Sequence, residues 1–228
     1  MPTVLGTSAR TRQFRALQAT PDQYGLGMPD IAAVAATTPV LERPTLVAVD
    51  GVDGSGKTTF AECLATAYTD RGRAVRVVHM DDFLNPRSVR YRRGRTSPEG
   101  FFADTYDLAA FTTKVLDPLQ PGATSAITLR AFDHLADKPV DDDPVEVPPQ
   151  AVVVIEGMFL HRDELCTWWD MSIFLDVPFR VTVPRMAQRD GAPPDREHPS
   201  WFRYLEGQRI YLSTCKPTER ATYVIDNY

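Results

Sequence analysis

TLVAVDGVDGSGKT, residues 45–58, is the stretch on which the fold turns. Thr45–Asp50 is a short apolar run of the kind that forms a strand buried on both faces. Gly51 to Thr58 then match the pattern G-x-x-x-x-G-K-[ST]. The spacing has a mechanical reason. Glycines let the backbone turn until successive N–H groups point inward at a phosphate, and the positive end of the following helix adds to the attraction. Lys57 has the reach for the β- and γ-phosphates, and Thr58 brings a hydroxyl to Mg²⁺. Thr58–Asp70 reads as a helix with Phe60, Leu64 and Ala67 on one face and Gly72 just past its end. Strand, loop and helix follow in the order the motif needs. Gly51, Asp53, Gly54, Ser55, Gly56, Lys57, Thr58 and Thr59 are therefore the expected nucleotide-binding residues.

Working outward, Ala74–Met80, Ala151–Glu156, Met171–Val177 and Tyr223–Asp226 read as further strands. Helices are expected at Ile31–Ala36, Asp107–Leu116, His161–Trp169, Phe179–Asp190 and Ser200–Ser213, with Asp107 as a cap and Pro184 as a kink or a delayed start. Ile127–Asp133 reads as one strand, residues 83–100 as a loop, and the acidic, proline-rich 137–149 as a linker. Apolar strands alternating with helices predict an α/β protein: a P-loop NTPase with a doubly wound parallel sheet of about five strands and helices on both faces. Residues 1–44, with several Gly and Pro, read as an N-terminal extension to a domain at 45–228.

In such sheets ligands bind beyond the carboxyl ends of the strands. Asp81 and Asp82 follow the second strand and Glu156 ends the third, so an acceptor-activating carboxylate and an acid for Mg²⁺ are both expected there. Asp50 reads either as a third participant or as a loop cap. Arg185 and Arg189, at i and i+4 ahead of the polar loop DGAPPDREHP, suit a clamp on a transferring phosphoryl group. Arg87, Arg90, Arg92, Arg93 and Arg95 admit three readings: a receptor for an anionic acceptor, a subunit interface, or a surface loop. His79, His134, His161 and His198 have no metal-ligand spacing, and Trp168 and Trp169 read as packing residues.

Composition narrows the function further. Lys plus Arg number 25 against 30 Asp plus Glu, a formal net charge of −5, which argues against a nucleic-acid partner. The three cysteines, Cys63, Cys166 and Cys215, are far apart and read as reduced thiols of a cytoplasmic protein. No apolar run nears the ~20 residues that cross a bilayer, so no membrane partner is expected. The N-terminus lacks a signal peptide's apolar core; its Arg, Ser and Thr content has a faint transit-peptide character, set against a plain cytosolic extension. No Asn-Lys-x-Asp marks guanine recognition.

These residues resemble the uridine kinase family within the phosphoribulokinase/uridine kinase group. The carriers are VAVDGVDGSGKTTFA, MDDF, FFADTYDLAAF, AFDH, VVVIEGMFLHRDEL, WDMSIFLDVPF, RMAQRD, GQRIYL and ATYVIDN, in that order from about Thr45 to Asn227. The resemblance implies ATP with Mg²⁺, a small strand insertion around Ile127–Asp133 and a short lid near residues 189–199. It implies Asp81 as catalytic base, Asp104 as the acid that holds acceptor hydroxyls, Glu156 near Mg²⁺, and Arg185 and Arg189 on the lid side. Phe132 and Asp133 fall where the family recognises its acceptor. Phe132 stands in place of a tyrosine there, and Asp137 in place of a histidine. The expectation is a small-molecule kinase acting on a hydroxyl of a nucleoside-like or polyol acceptor, with a homo-oligomer left open. The rivals are a sugar or vitamin-precursor kinase of the same fold, and a non-catalytic nucleotide-binding regulator.

Overall fold

The computed structural model describes residues 31–227, so most of the N-terminal extension lies outside it. The elements run α1 (Ile31–Thr37), β1 (Thr45–Gly51), α2 (Lys57–Asp70), β2 (Val75–His79), α3 (Arg87–Arg90), α4 (Pro98–Asp104), α5 (Leu108–Phe111), β3 (Ala126–Ile127), β4 (Phe132–Asp133), β5 (Lys138–Pro139), β6 (Val145–Glu146), β7 (Val152–Gly157), β8 (Met171–Asp176), α6 (Phe179–Asp190), α7 (Phe202–Cys215), α8 (Pro217–Arg220) and β9 (Tyr223–Asp226). Five strands form one sheet in the order β2-β7-β1-β8-β9, and every pairing within it is parallel. The expected α/β architecture is present.

Side-chain alternation along β1 explains the two layers. Leu46 and Ala48 enter a core shared with Phe101, Phe111, Phe159 and Tyr211, whereas Val47 and Val49 enter one shared with Phe60, Leu64 and Tyr68 of α2. All seven β1 residues are buried, as a central parallel strand requires. The second core also takes Val34 and Ala35 of α1. The Thr38 hydroxyl meets the Tyr68 hydroxyl at 2.6 Å, and Arg43 makes a two-pronged contact with Asp170, both at 2.7 Å. The described part of the extension is thus packed onto the α/β body.

Three stretches depart from the sequence reading, the first being residues 83–100, read as a loop, which hold α3 and the start of α4. Ile127–Asp133 is not one strand. Thr128 N–H bonds to the Lys114 carbonyl and Ala131 N–H to the Asp82 carbonyl, which breaks the run into β3 and β4. Their partners β6 and β5 come from the stretch read as a linker. His161–Trp169 is wound as turns rather than a helix. Its first residue is captured by Asp50, which accepts from both the backbone N–H (3.1 Å) and the ring Nδ1 (2.7 Å) of His161. Helix α6 does run from Phe179 to Asp190 through Pro184. No helix among the described residues is long and apolar enough to cross a membrane.

Candidate active site

The phosphate loop leaves the carboxyl end of β1, the central strand, and enters α2. Gly54 and Gly56 have φ of +76° and +91°, the left-handed region open to glycine. Space is as restrictive as φ. A Cβ on Gly54 would lie 2.8 Å from the Thr182 carbonyl oxygen, and one on Gly56 would lie 2.7 Å from Asn227 Nδ2. The loop is pinned through its own backbone. Lys57 Nζ donates to the Val52 carbonyl at 2.9 Å, Gln208 Oε1 accepts from Asp53 N at 2.6 Å, and Asn227 Nδ2 donates to the Ser55 carbonyl at 2.7 Å.

A cleft of about 300 Å³ opens over this loop, lined by Asp53, Gly54, Gly56, Lys57, Thr58, Thr59, Asp81, Glu156, Met158, Arg185 and Arg189 among others. Gly51 and Ser55 are buried behind it. Elements far apart in sequence converge here because β7 lies beside β1 and β2 beside β7, all parallel, so their carboxyl ends share one rim. Thr58 Oγ1 donates to Glu156 Oε1 at 3.3 Å, and His79 Nδ1 lies 2.7 Å from the same oxygen. That hydrogen bond to Glu156 raises the His79 pKa from its ordinary value. The Thr58 hydroxyl and Glu156 carboxylate are adjacent hard oxygen donors, which suits Mg²⁺. No group of three or more His, Cys, Asp or Glu among the described residues is arranged to hold an ion by itself. A metal here would thus lean on nucleotide phosphates, the usual arrangement for Mg²⁺ in kinases.

Asp81 sits in a single turn of 3-10 helix at Met80–Phe83 directly after β2. Its side chain is reached by solvent through the cleft, yet protein crowds it on its other sides. That crowding, then the Glu156 charge, raises its carboxyl above the ordinary range, while the Tyr106 hydroxyl and Lys57 oppose the rise. Tyr106 OH donates to Asp81 Oδ1 at 3.0 Å, and burial holds the phenol itself well above its usual pKa. On the lid side, Arg185 donates to the Gly54 and Asn227 carbonyls. Arg189 reaches Asp53 at 3.2 Å and Asp190 at 2.7 Å. The lid segment folds back through Trp201, whose indole donates to the Pro193 carbonyl at 2.8 Å.

The expected acceptor residues lie elsewhere. Asp104, 2% exposed, is gripped by Arg92 and, at 2.9 Å, by Arg93. Phe132 is buried against a separate hollow that it shares with Phe83, Leu84 and Val140. Asp133 accepts from Leu135 N and Ala136 N at 3.0 Å each, capping a turn. Asp50 is fully buried and holds Gly51 N, His161 and the Tyr211 hydroxyl. It therefore braces the loop. Arg90 lies 3.5 Å from Asp137. Arg203, from α7, donates to the carbonyls of Arg90, Gly94 and Ser97, so the arginine-rich loop is wound around a buried guanidinium. Sequence reasoning missed Tyr106, His79, Gln208 and Asn227. For Tyr106 the available signal was its place two residues beyond Asp104 in a motif already singled out.

A glycine-cradled phosphate site, a lysine, and acids at neighbouring strand ends on this sheet are the marks of a P-loop kinase. The sequence profile of the phosphoribulokinase/uridine kinase family matches residues 46–198, and the chain belongs to that family. A uridine kinase from Limosilactobacillus reuteri is 27% identical over 187 residues, 81% of this chain and 83% of its own. A structure from Bacillus stearothermophilus, described as a possible uridine kinase, matches with a TM-score of 0.69 at 27% identity, covering 86% of this chain and 97% of the other. A Silicibacter protein described as a candidate fructose transport system kinase matches at 0.61 and 28% identity, covering 87% and 98%.

Proposed function

We propose that this protein is an ATP-dependent, Mg²⁺-assisted kinase that moves the γ-phosphoryl group to a hydroxyl of a small polyol or nucleoside-like acceptor, with Asp81 as the base. The observation that carries the reading is the position of the Asp81 carboxylate. It opens into the same cleft as Lys57, Thr58 and Glu156 and is oriented by Tyr106. A nucleotide sensor has no need of a base aimed at an acceptor.

In this reading Lys57 and the loop amides hold the β- and γ-phosphates. Thr58 and Glu156 would hold Mg²⁺, which supplies charge neutralisation on the phosphates. Arg185 and Arg189 would exchange their protein partners for phosphate oxygens and steady the charge of the transfer. The acceptor oxygen bonds to the γ-phosphorus as the bond to the bridging β–γ oxygen breaks. ADP leaves, and Asp81 takes the hydroxyl proton. Buried Phe132, which lacks a phenol oxygen, and Asp133, whose Oδ1 is held by the Leu135 and Ala136 amides, favour a sugar or other polyol over a pyrimidine nucleoside. Asp104, committed to two arginines, would act on the acceptor only after leaving them. A cytoplasmic setting suits the free thiols at Cys63, Cys166 and Cys215. A coupled ADP-release screen across sugars, polyols, vitamin precursors and nucleosides tests the proposal. Acceptor-dependent release that requires Mg²⁺ is the expected result, and ATP binding with no acceptor-stimulated release across the panel would contradict it.

A further inference from the structure

We infer that Gln208, on α7, is a positioning residue that fixes the Val52–Asp53 peptide of the phosphate loop and thereby the affinity for nucleotide phosphates. The inference rests on the reading of residues 51–58 as the phosphate cradle.

The Gln208 side chain is 1% exposed and both halves of its amide are engaged. Oε1 accepts from Asp53 N at 2.6 Å, and Nε2 donates to the Tyr204 carbonyl at 2.9 Å. A flipped amide would set an NH₂ against the Asp53 N–H, so the orientation is fixed by chemistry. The other end of the same peptide is held as well, since the Val52 carbonyl accepts from Lys57 Nζ at 2.9 Å and Ser55 N at 3.1 Å. Lys57 is the group that must swing to phosphate oxygens when nucleotide binds. Gln208 is then the side-chain anchor left on that peptide plane, and the plane sets where the next loop N–H groups point.

The arm that carries Gln208 is itself immobilised. One turn along α7, the Tyr211 hydroxyl bonds Asp50 at the end of β1. On the adjoining face Gly207 lies so close to α4 that an added Cβ would come within 2.8 Å of Phe101 Cδ1 and of the Pro98 carbonyl oxygen. Tyr204, which receives the Gln208 amide on its carbonyl, packs edge-on against Phe101 with ring centroids 5.0 Å apart. Helix α7 therefore has no slack, and Gln208 holds the loop at a set distance. Packing alone would be served by a residue of similar size without the amide.

The test uses the full chain and ADP as probe. Gln208→Met keeps volume and removes the acceptor. Calorimetry should show ADP bound about tenfold more weakly than by wild type, and the nucleotide-free protein should melt at a lower temperature, because the Asp53 N–H loses its partner, while still unfolding in one cooperative transition. Amide hydrogen exchange provides a second measurement that needs no variant: the wild-type Asp53 amide should exchange far more slowly than a solvent-exposed loop amide, without nucleotide. Equal ADP affinity in wild type and Gln208→Met would overturn the inference and leave the kinase reading intact. An unprotected Asp53 amide in wild type would do the same. A wild type that binds no ADP would overturn both.

Discussion

Asp81 carries the heaviest chemical demand of any residue in the cleft. In the proposed role as base it must stay ionised to accept a proton, and crowding by protein together with the Glu156 charge raises its carboxyl above the ordinary range. The acid limb of kcat/KM should therefore fall with a midpoint above ~3.9, the ordinary aspartate value. Tyr106→Phe removes a hydrogen bond to the carboxylate and should move that midpoint higher still; a pH–rate profile of the two proteins checks the direction. The same shift has a stability sign. A carboxyl whose pKa is raised in the fold disfavours the folded state once pH exceeds that raised value, and has no such effect below the unfolded pKa. Asp81→Asn should accordingly melt at or above the wild-type temperature at neutral pH, and differential scanning calorimetry would show it. Lys57→Ala should abolish turnover with the fold intact, because the Lys57 side chain lies at the cleft and serves charge rather than packing.

At the scale of elements, the loop between β1 and α2 has the narrowest tolerance. Gly54→Ala would put a Cβ at positive φ and against the Thr182 carbonyl oxygen. More than about 1 kcal/mol of stability should be lost, measurable by urea denaturation, together with nucleotide affinity. This loop was legible in the sequence because its constraints are local: glycine for φ, lysine for reach, threonine for a hydroxyl. The strand-end acids Asp81 and Glu156 were legible because strand ends can be counted. The arginine clamp on Asp104 was not. It brings Arg92 and Arg93 onto an acid 12 and 11 residues further along, through a loop wound around Arg203 from another helix. The turns at 161–169 were misread for a related reason. Local propensity suits a helix there, but Arg220, 59 residues later, donates to the His161 carbonyl that a helix would use for its own hydrogen bond. The same holds for Gln208, whose role depends on a loop 155 residues away.

For the whole molecule, the parallel sheet gathers the phosphate loop, Asp81 and Glu156 on one rim, while the strand insertion keeps Phe132 in a hollow of its own. Uridine and cytidine should be poor acceptors, with kcat/KM below about 10⁴ M⁻¹s⁻¹. Phe132 has no phenol oxygen to offer a base and Asp137 has a carboxylate in place of an imidazole, so the recognition that rewards a pyrimidine is missing. Steady-state kinetics with both nucleosides checks this against the best polyol found in the screen. The central claim, phosphoryl transfer to a hydroxyl with Asp81 as base, is tested most directly by following the γ-phosphoryl label of ATP into that acceptor with wild type and Asp81→Asn side by side. Transfer should slow by ~10²–10⁴ in the variant while calorimetry shows its MgATP binding unchanged; label transfer at the wild-type rate would contradict the account.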